Sequence, residues 1–320
     1  MPPQFIAGDV RGKDPTQLKD VLGSLGIKRL DTAAIYDGGE SEKRIGAAHL
    51  PQHFTIDTKI MVTNMNPNGS HTPELIEKSL SNSLKVMGVD KVNVYYCHTP
   101  DLQTPVVDQA KALDEQYRKG RFTHLGFCNF SPSMIQEWLD VAEKHGYVKP
   151  TVYQGQYNLL CRGYETTNIP LLRKHNMVIN AFSPLAGGFL LGHLTEDGLQ
   201  AGSRFNAGAS GAGGAYLNFY DHPSMHEAIK RLRSISKSSG IGLDELSLRW
   251  LVYHSALGDQ DGVILGGSKL QHFENNMAQI RKGPLDDAIV QQLDALWDVC
   301  KEDGVKLVQH DDYLMGKPRP

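Results

Sequence analysis

The sequence predicts an α/β protein folded as one (β/α)8 TIM barrel, and three observations support that class. Short apolar, β-branched segments alternate with longer amphipathic segments, which indicates repeated strand–helix units and a parallel sheet. Eight such units occur in order. No Gly-x-Gly-x-x-Gly loop follows the first strand, as a doubly wound sheet would usually require. Since 320 residues suit one such barrel, we expect a single domain over residues 1–320.

The eight predicted strands are short runs rich in Val, Ile, Phe and Tyr. In chain order they cover Phe5–Ala7, Ile27–Asp31, Thr55–Lys59, Val92–Cys97, Phe122–Phe127, Thr151–Gln154, Val178–Phe182 and Gly262–Leu265. Each is followed by a predicted helix, and these span Pro15–Leu25, Glu40–His49, Thr72–Met87, Pro105–Lys119, Pro132–His145, Thr166–His175, Leu243–His254 and Leu270–Ile280.

Local signals support these helices. In the third one, Leu75, Ile76, Leu80, Leu84 and Met87 recur at three- and four-residue steps, which predicts one buried stripe. Hydroxyl residues precede a proline at the start of the third and fifth helices, where the hydroxyl caps the helix and the proline suits its first position.

Two further helices and one long loop exceed the eightfold pattern. The helices are predicted at Ser224–Lys237 and Leu285–Cys300, as additions to the barrel. The loop after the seventh strand contains a glycine-rich stretch, Gly202–Tyr216. Glycine permits many backbone conformations, so we interpret this stretch either as a lid over the catalytic face or as a tolerated surface insertion.

Composition excludes several classes of protein. Lys and Arg number 33 against 36 Asp and Glu, giving a net charge of -3, and no basic block could follow a nucleic-acid backbone. No apolar run is long enough to cross a membrane. The four cysteines have no Cys-x-x-Cys spacing and the chain starts without an apolar secretory segment, so we expect a cytoplasmic location. We expect no metal site.

Reactive side chains cluster where predicted strands end, which is the catalytic face of such barrels. Asp31 ends the second strand and Tyr36 follows it, Lys59 ends the third strand, and His98 follows the fourth. Each residue alone has a structural explanation: a loop cap, a core aromatic, a neutralising charge or a histidine in a turn. Four reactive types at the ends of three successive strands favour a shared catalytic role.

The charges suggest a reaction. Buried Lys59 needs a counter-ion, and Asp31 can supply it. A positive Lys59 favours the phenolate of Tyr36, so we expect the Tyr36 pKa to move from its reference of about 10 toward neutrality. Tyr36 could then donate a proton to a carbonyl oxygen that His98 orients. None of these side chains is a hydride source, so a nicotinamide cofactor would have to supply the hydride.

These residues and motifs resemble the aldo-keto reductase superfamily, most of all its aflatoxin-aldehyde-reductase branch. The similarity extends from DTAAIYDGGESEKRIG through GFCNF, YQGQYNLL and FSPLAGGFLLG to GGSKLQHFENN, in the family's order and spacing. It implies NADPH-dependent (NADP+) reduction of aldehydes and ketones on a (β/α)8 barrel. The implied catalytic tetrad is Asp31, Tyr36, Lys59 and His98.

The resemblance also implies a set of cofactor-binding residues. Nicotinamide would be held by Cys128, Asn129, Gln154 and the ring of Phe182. The loop that contains Ser183, Leu185, Gly187 and Gly188 resembles the segment around the pyrophosphate, where small residues let backbone N–H groups approach oxygen. The segment after the last strand would face the adenosine half, with Gly266, Ser268, Lys269, His272, Asn275 and Asn276.

Three features depart from the family's pattern. Cys128 stands where relatives have serine, a stronger hydrogen-bonding partner. GGSKLQHFENN lacks the arginine that many relatives place near the 2′-phosphate, which leaves Lys269 and His272 and predicts a modest preference for NADPH over NADH. The family's hairpin before the first strand is missing, so we expect a less tightly sealed bottom of the barrel.

The first functional hypothesis is a carbonyl reductase with Tyr36 as proton donor. One alternative is an NADPH-binding regulatory subunit with little turnover, similar to the potassium-channel β-subunits, and another is a cofactor-free isomerase or lyase using Tyr36 and Lys59. A small carbonyl substrate would lie among the loops at Asn64–Asn68, Asp101 and Leu160, the glycine-rich stretch and the C-terminal tail. Arg162 and Arg204 could bind an acidic substrate group or be solvated, and a homodimer is a possible assembly.

Overall fold

A closed barrel of eight parallel strands forms the centre of the computed structural model, which describes residues 2–8, 14–61, 69–195 and 212–308. The strands are β1 (Gln4–Gly8), β2 (Arg29–Asp31), β3 (Thr55–Lys59), β4 (Val92–Cys97), β5 (Phe122–Cys128), β6 (Pro150–Gln156), β7 (Val178–Phe182) and β8 (Gly262–Leu265). Neighbours in the chain are neighbours in the sheet, and β8 pairs with β1 to close it. The predicted (β/α)8 TIM barrel is confirmed.

Helices connect the strands and surround the barrel. They are α1 (Pro15–Leu25), α2 (Glu40–Ala47), α3 (Pro73–Met87), α4 (Val106–Arg118), α5 (Pro132–His145), α6 (Asn168–Lys174), α7 (Ala212–Tyr220), α8 (Pro223–Ser239), α9 (Leu243–Tyr253), α10 (Leu270–Ile280) and α11 (Asp287–Gly304). The two additional helices of the prediction correspond to α8 and α11, which pack against each other. Thr72 and Ser131 cap α3 and α5 as expected.

Several predicted elements extend past the observed bounds, and a local turn explains two of these differences. β2 begins at Arg29, because Gly26 ends α1 in a left-handed conformation and the Ile27 N–H bonds back to the Leu22 carbonyl. α2 ends at Ala47, and His49 has a positive φ of 51° that no α-helix accommodates. In both places the local turn, rather than hydrophobicity, sets the boundary.

The glycine-rich stretch, Gly202–Tyr216, was predicted to be a loop throughout, but part of it is helical. Its C-terminal end belongs to α7, a helix that the sequence did not reveal. Tyr220 at the end of α7 is buried, stacks on Phe189 and bonds to Asn158, so packing offsets the cost of glycine in the helix. The earlier part of the stretch, the Asn64–Asn68 loop and the chain after Val308 lie outside the described residues.

The core has two parts. A large apolar cluster fills the space between the barrel and its helices. The barrel interior holds a smaller cluster of Val94, Tyr96, Cys128 and Val152. Among the helices of the described ranges, none combines the length and apolar character needed to cross a lipid bilayer.

The barrel interior also carries polar groups toward the N-terminal ends of its strands. There Arg29 forms a 2.6 Å ion pair with buried Asp57, and its second nitrogen lies 3.4 Å from the Gln4 amide oxygen. Asn93 donates to the other oxygen of Asp57 at 2.7 Å. Polar side chains, not an apolar plug, therefore occupy this end of the barrel.

The contact between α2 and α3 depends on a glycine. A Cβ on Gly46 would overlap the backbone carbonyl of Val86. We expect Gly46→Ala to lower the free energy of unfolding by about 1–3 kcal/mol, since overpacking displaces backbone. The control is Gly23→Ala in α1, where a Cβ meets open space and helix propensity predicts a gain of up to about 1 kcal/mol. Urea denaturation measures both, and equal effects would contradict the prediction.

Candidate active site

The predicted tetrad residues lie at the C-terminal ends of β2, β3 and β4. Asp31 and Lys59 are the last residues of their strands, and His98 directly follows β4. Tyr36 starts a short 3-10 turn, Tyr36–Gly39, which follows β2. Because neighbouring parallel strands end at the same edge, these four side chains come together.

A buried ion pair joins two of them. Lys59 Nζ lies 2.6 Å from Asp31 Oδ2 and donates to the Thr32 carbonyl at 2.8 Å. The side chains are only 1% and 4% exposed. Burial lowers the pKa of Lys59, but the charge and hydrogen bond of Asp31, together with Tyr36 and Cys128, raise it by more, so the pKa lies above its ordinary value. Lys59 is therefore a fixed positive charge.

Tyr36 lies next to this positive charge. Lys59 Nζ is 4.9 Å from the centroid of the Tyr36 ring, and the ring meets His98 edge-on with centroids 5.7 Å apart. The side chain is partly exposed, whereas its hydroxyl is surrounded by protein. Burial raises the Tyr36 pKa to about 12, although Lys59 acts to lower it. The expected shift toward neutrality is wrong, because desolvation outweighs the charge of Lys59, and the phenol is protonated at neutral pH.

His98 is a neutral imidazole. Burial, together with the charge of Lys59, lowers the pKa of His98 to about 3. Its Nδ1 is buried and has no hydrogen-bonding partner in the described part of the chain. The backbone carbonyl of His98 accepts a 3.0 Å bond from Asn129 Nδ2. A neutral imidazole beside a protonated phenol can bind and orient an uncharged polar group.

Two residues predicted to hold nicotinamide have oriented amides. Gln154 Nε2 donates to Asp31 Oδ1 at 2.8 Å. Asn129 Nδ2 donates to the backbone carbonyl of His98 at 3.0 Å. Since both partners are acceptors, each amide turns its nitrogen toward them. Among the residues that the structure describes, neither amide oxygen accepts a hydrogen bond, so each could accept one from an N–H donor such as a carboxamide. Cys128 at the end of β5 is buried against Val152 and Tyr96. These residues fit the predicted group.

The predicted pyrophosphate segment turns sharply after β7. Phe182 is partly exposed at the end of β7, and Ser183 has a positive φ of 56°. Gly187 and Gly188 also have positive φ, within the 3-10 segment Ala186–Leu191 that Leu185 precedes. A Cβ on Gly187 would come within 2.6 Å of the Tyr216 ring, so only glycine fits. Such successive turns of the backbone are typical of anion-binding nests.

The segment predicted to face adenosine lies between β8 and α10. Most of its polar groups are accessible: Gly266, Ser268, Lys269 and Asn275 are exposed and His272 is partly so, whereas Asn276 is buried. His272 packs closely against Gly267. The single cation of the GGSKLQHFENN segment, Lys269, thus lies at the entrance of α10 in contact with solvent.

The structure describes one of the two arginines that were predicted to bind substrate. Arg162 bonds to Glu165 and Asp294, both at 2.9 Å, and its guanidinium covers the Trp250 ring at 4.7 Å. These contacts fasten α11 to the barrel and leave the Arg162 side chain only 15% exposed, so it is not the solvated loop residue of the alternative, and its substrate role stays a prediction. Arg204 lies outside the described residues.

Two other positions predicted to line the substrate site are bonded or buried within the protein. Asp101 accepts bonds from the backbone N–H groups of Ser70 and His71, and Leu160 is buried. Within the ranges that the structure describes, no group of three His, Cys, Asp or Glu residues could hold a metal ion.

Sequence reasoning missed the polar residues behind the tetrad. Thr32 shares a 2.8 Å hydrogen bond with Ser41, and Glu42 accepts from Thr58 at 2.5 Å and from Ser83 at 3.0 Å. Glu42 follows Tyr36 by six positions in a helix start, and its burial could be recognised only from the packing of α2 on α3.

Comparison with known proteins agrees with this geometry. The model of the aldo/keto reductase family matches residues 14–298. Similar proteins include oxidoreductase sirO of Leptosphaeria maculans, 35% identical over 93% of this chain and 90% of its own, and rat aflatoxin B1 aldehyde reductase member 2, 33% identical over 86% and 77%. Human aflatoxin B1 aldehyde reductase member 2 is 34% identical over 85% and 78%. The chain belongs to the aldo/keto reductase family, whose members are oxidoreductases that reduce carbonyl groups.

The neutral state of His98 predicts a pH-dependent stability. Unfolding returns its pKa from about 3 to about 6.5, so the unfolded chain binds the extra proton between these values and stability falls as the pH drops. We expect His98→Asn to reduce the stability lost between pH 7 and pH 5 by about 2 kcal/mol. Urea unfolding at pH 7, 6 and 5 measures this, and parallel curves for the two proteins would contradict it.

Proposed function

We propose that this enzyme reduces aldehydes or ketones with NADPH and that Tyr36 donates the proton. The observation that carries the proposal is the buried Lys59–Asp31 ion pair beside a protonated Tyr36 and a neutral His98. When bound, NADPH would supply a hydride to the carbonyl carbon. The relatives named as aldehyde reductases support an aldehyde as the substrate class.

In this proposal each tetrad residue has one role. His98 donates a hydrogen bond that orients the carbonyl oxygen next to the Tyr36 hydroxyl. Tyr36 gives its proton to that oxygen as negative charge develops there. Lys59 stabilises the phenolate that remains, and Asp31 keeps Lys59 charged and in place. Water is then the source from which Tyr36 regains its proton.

Gln154 and Asn129 would hold the nicotinamide carboxamide through their free amide oxygens, with Phe182 against the ring. The turns at Ser183, Gly187 and Gly188 would surround the pyrophosphate. Turns and amides that are fixed before the cofactor arrives would lower the entropic cost of binding.

Replacing the proton donor tests the proposal. We expect Tyr36→Phe to lower kcat for small aldehydes by about 10²–10⁴-fold while NADPH still binds, because only the proton is lost. Tyr117→Phe, an exposed tyrosine on α4, is the matched control and should be unaffected. NADPH absorbance measures turnover and fluorescence titration measures binding.

Three outcomes would contradict it. Equal turnover by the wild type and Tyr36→Phe would remove the assigned role of Tyr36. Tight NADPH binding without turnover of any carbonyl would favour the regulatory-subunit alternative. Absence of nicotinamide binding would favour an isomerase or lyase.

The cofactor preference rests on Lys269. We expect Lys269→Ala to raise the Kd of NADPH by about tenfold and that of NADH by less than twofold, since only NADPH carries a 2′-phosphate for the ammonium group to bind. Lys111→Ala on α4, also exposed, controls for the loss of one surface charge. Equal changes for NADPH and NADH would contradict this assignment.

We also propose a cytoplasmic location and a small-molecule carbonyl as the partner, with no nucleic acid or membrane partner. All four cysteines are buried and no disulfide joins any two of them, in keeping with a reducing compartment. A homodimer is proposed as one state of assembly, and sedimentation velocity would distinguish it from a monomer.

A further inference from the structure

A buried carboxylate behind the tetrad has no part in the mechanism above. Glu42 on α2 is 1% exposed, and each of its carboxylate oxygens accepts one hydrogen bond. The donors are the hydroxyls of Thr58 on β3 and Ser83 on α3. Since an unsatisfied buried carboxylate is costly, both bonds hold Glu42 in one position.

One of these bonds, and a second bond from the neighbouring Ser41, reach the two strands that carry the ion pair. Thr58 directly precedes Lys59 on β3. The residue before Glu42, Ser41, bonds to Thr32, which directly follows Asp31. One turn of α2 is thereby fastened to β2 and to β3, next to both partners of the ion pair.

The same turn of helix also ends the segment that presents Tyr36. Between Tyr36 and α2, Asp37, Gly38 and Gly39 all have positive φ, and Asp37 is strained in that conformation. No side-chain cap bonds to the start of α2 or of the Tyr36 turn. The segment ends in α2, whose Arg44 also pairs with Asp37 at 2.5 Å, so the position of α2 determines where the turn lies.

We propose that Glu42 is a positioning residue that holds the Tyr36 turn in place beside the Lys59–Asp31 pair, through Thr58 on β3 and Ser83 on α3. The proposal rests on the role of Tyr36 in the proposed function. The charge of Lys59 acts to lower the pKa of Glu42. The negative charge of Glu42 in turn acts to raise the pKa of Tyr95 on β4. A misplaced Tyr36 would slow proton transfer, whereas the cofactor-binding residues on β5, β6 and β7 would be unaffected.

Two substitutions separate hydrogen bonding from charge. Glu42→Gln keeps the shape and can still bond both hydroxyls, because a hydroxyl can accept as well as donate. Glu42→Ala removes both bonds. We expect Glu42→Ala to lower kcat at least tenfold with the NADPH Kd changed less than twofold, and Glu42→Gln to retain at least one third of kcat.

Crystal structures of both variants supply a readout that needs no turnover. The distance from Lys59 Nζ to the Tyr36 ring centroid is 4.9 Å. We expect the ring to shift by more than 1 Å in Glu42→Ala and to stay in place in Glu42→Gln. An unmoved ring in Glu42→Ala, or equal kcat losses in the two variants, overturns the proposal. If the wild type reduces no carbonyl, the proposed function fails, and the ring position still decides the role of Glu42.

Controls separate positioning from stability. Glu40→Ala removes an exposed carboxylate from the same helix and should leave kcat unchanged. Asp114→Ala removes a buried carboxylate of α4, bonded to Arg118 and to the Val148 N–H, and should cost stability without lowering kcat. If Glu42→Ala yields no folded protein, Thr58→Val, which deletes one bond and keeps the side-chain shape, must show the fall in kcat. Unchanged kcat in Thr58→Val overturns the proposal.

Discussion

A positive charge held in the dry mouth of the barrel is the constraint on which the rest of the site depends. Lys59 can stay charged there only because Asp31 lies 2.6 Å away. Breaking such a pair typically costs about 3–5 kcal/mol, since the remaining charge is buried without a partner. Burial lowers the pKa of His98, and the charge of Lys59 adds to that effect, whereas at Tyr36 the same charge opposes the rise in pKa that burial causes. One ion pair thus acts on the protonation of two neighbours, in both cases together with burial.

Polar side chains of the barrel strands surround this ion pair. The register places Asp31 beside Asp57 and Lys59 beside Tyr96. Below it, Arg29 neutralises Asp57, so positive and negative charges alternate across β2 and β3. Gln154 reaches Asp31 from β6 and links the ion pair to the opposite side of the barrel. A change in any of these strands would therefore alter the electrostatics at Tyr36.

Periodic patterns predicted the fold well and the local turns poorly. β3, β4, β7 and β8 match their predicted bounds, because each is a short, largely buried segment with β-branched or aromatic residues at regular places between the helical patterns. The start of β2 and the end of α2 depend on hydrogen bonds that close helix ends, which hydrophobicity does not encode. α7 was missed because it is held by packing around Tyr220 and not by helix propensity.

The reactive residues of the site were accessible to sequence reasoning, but their energetics were not. Strand ends identified Asp31, Lys59 and His98, since topology alone brings them to one edge. The pKa of Tyr36 depends on how much protein surrounds its hydroxyl, and that is a property of packing. The contacts of Arg162 and Glu42 join residues distant in sequence, so no local pattern indicates them.

Closure of the barrel also determines when the sheet can be completed during synthesis of the chain. One edge of β1 pairs with β8, whose first residue, Gly262, is translated more than 250 residues after Gln4. At about 5–20 residues per second, that edge waits roughly 10–50 s for its partner. During this interval the nascent sheet has open strand edges that a chaperone could protect. Of the eight barrel strands, β1 is made before the others and is among the last to be fully paired.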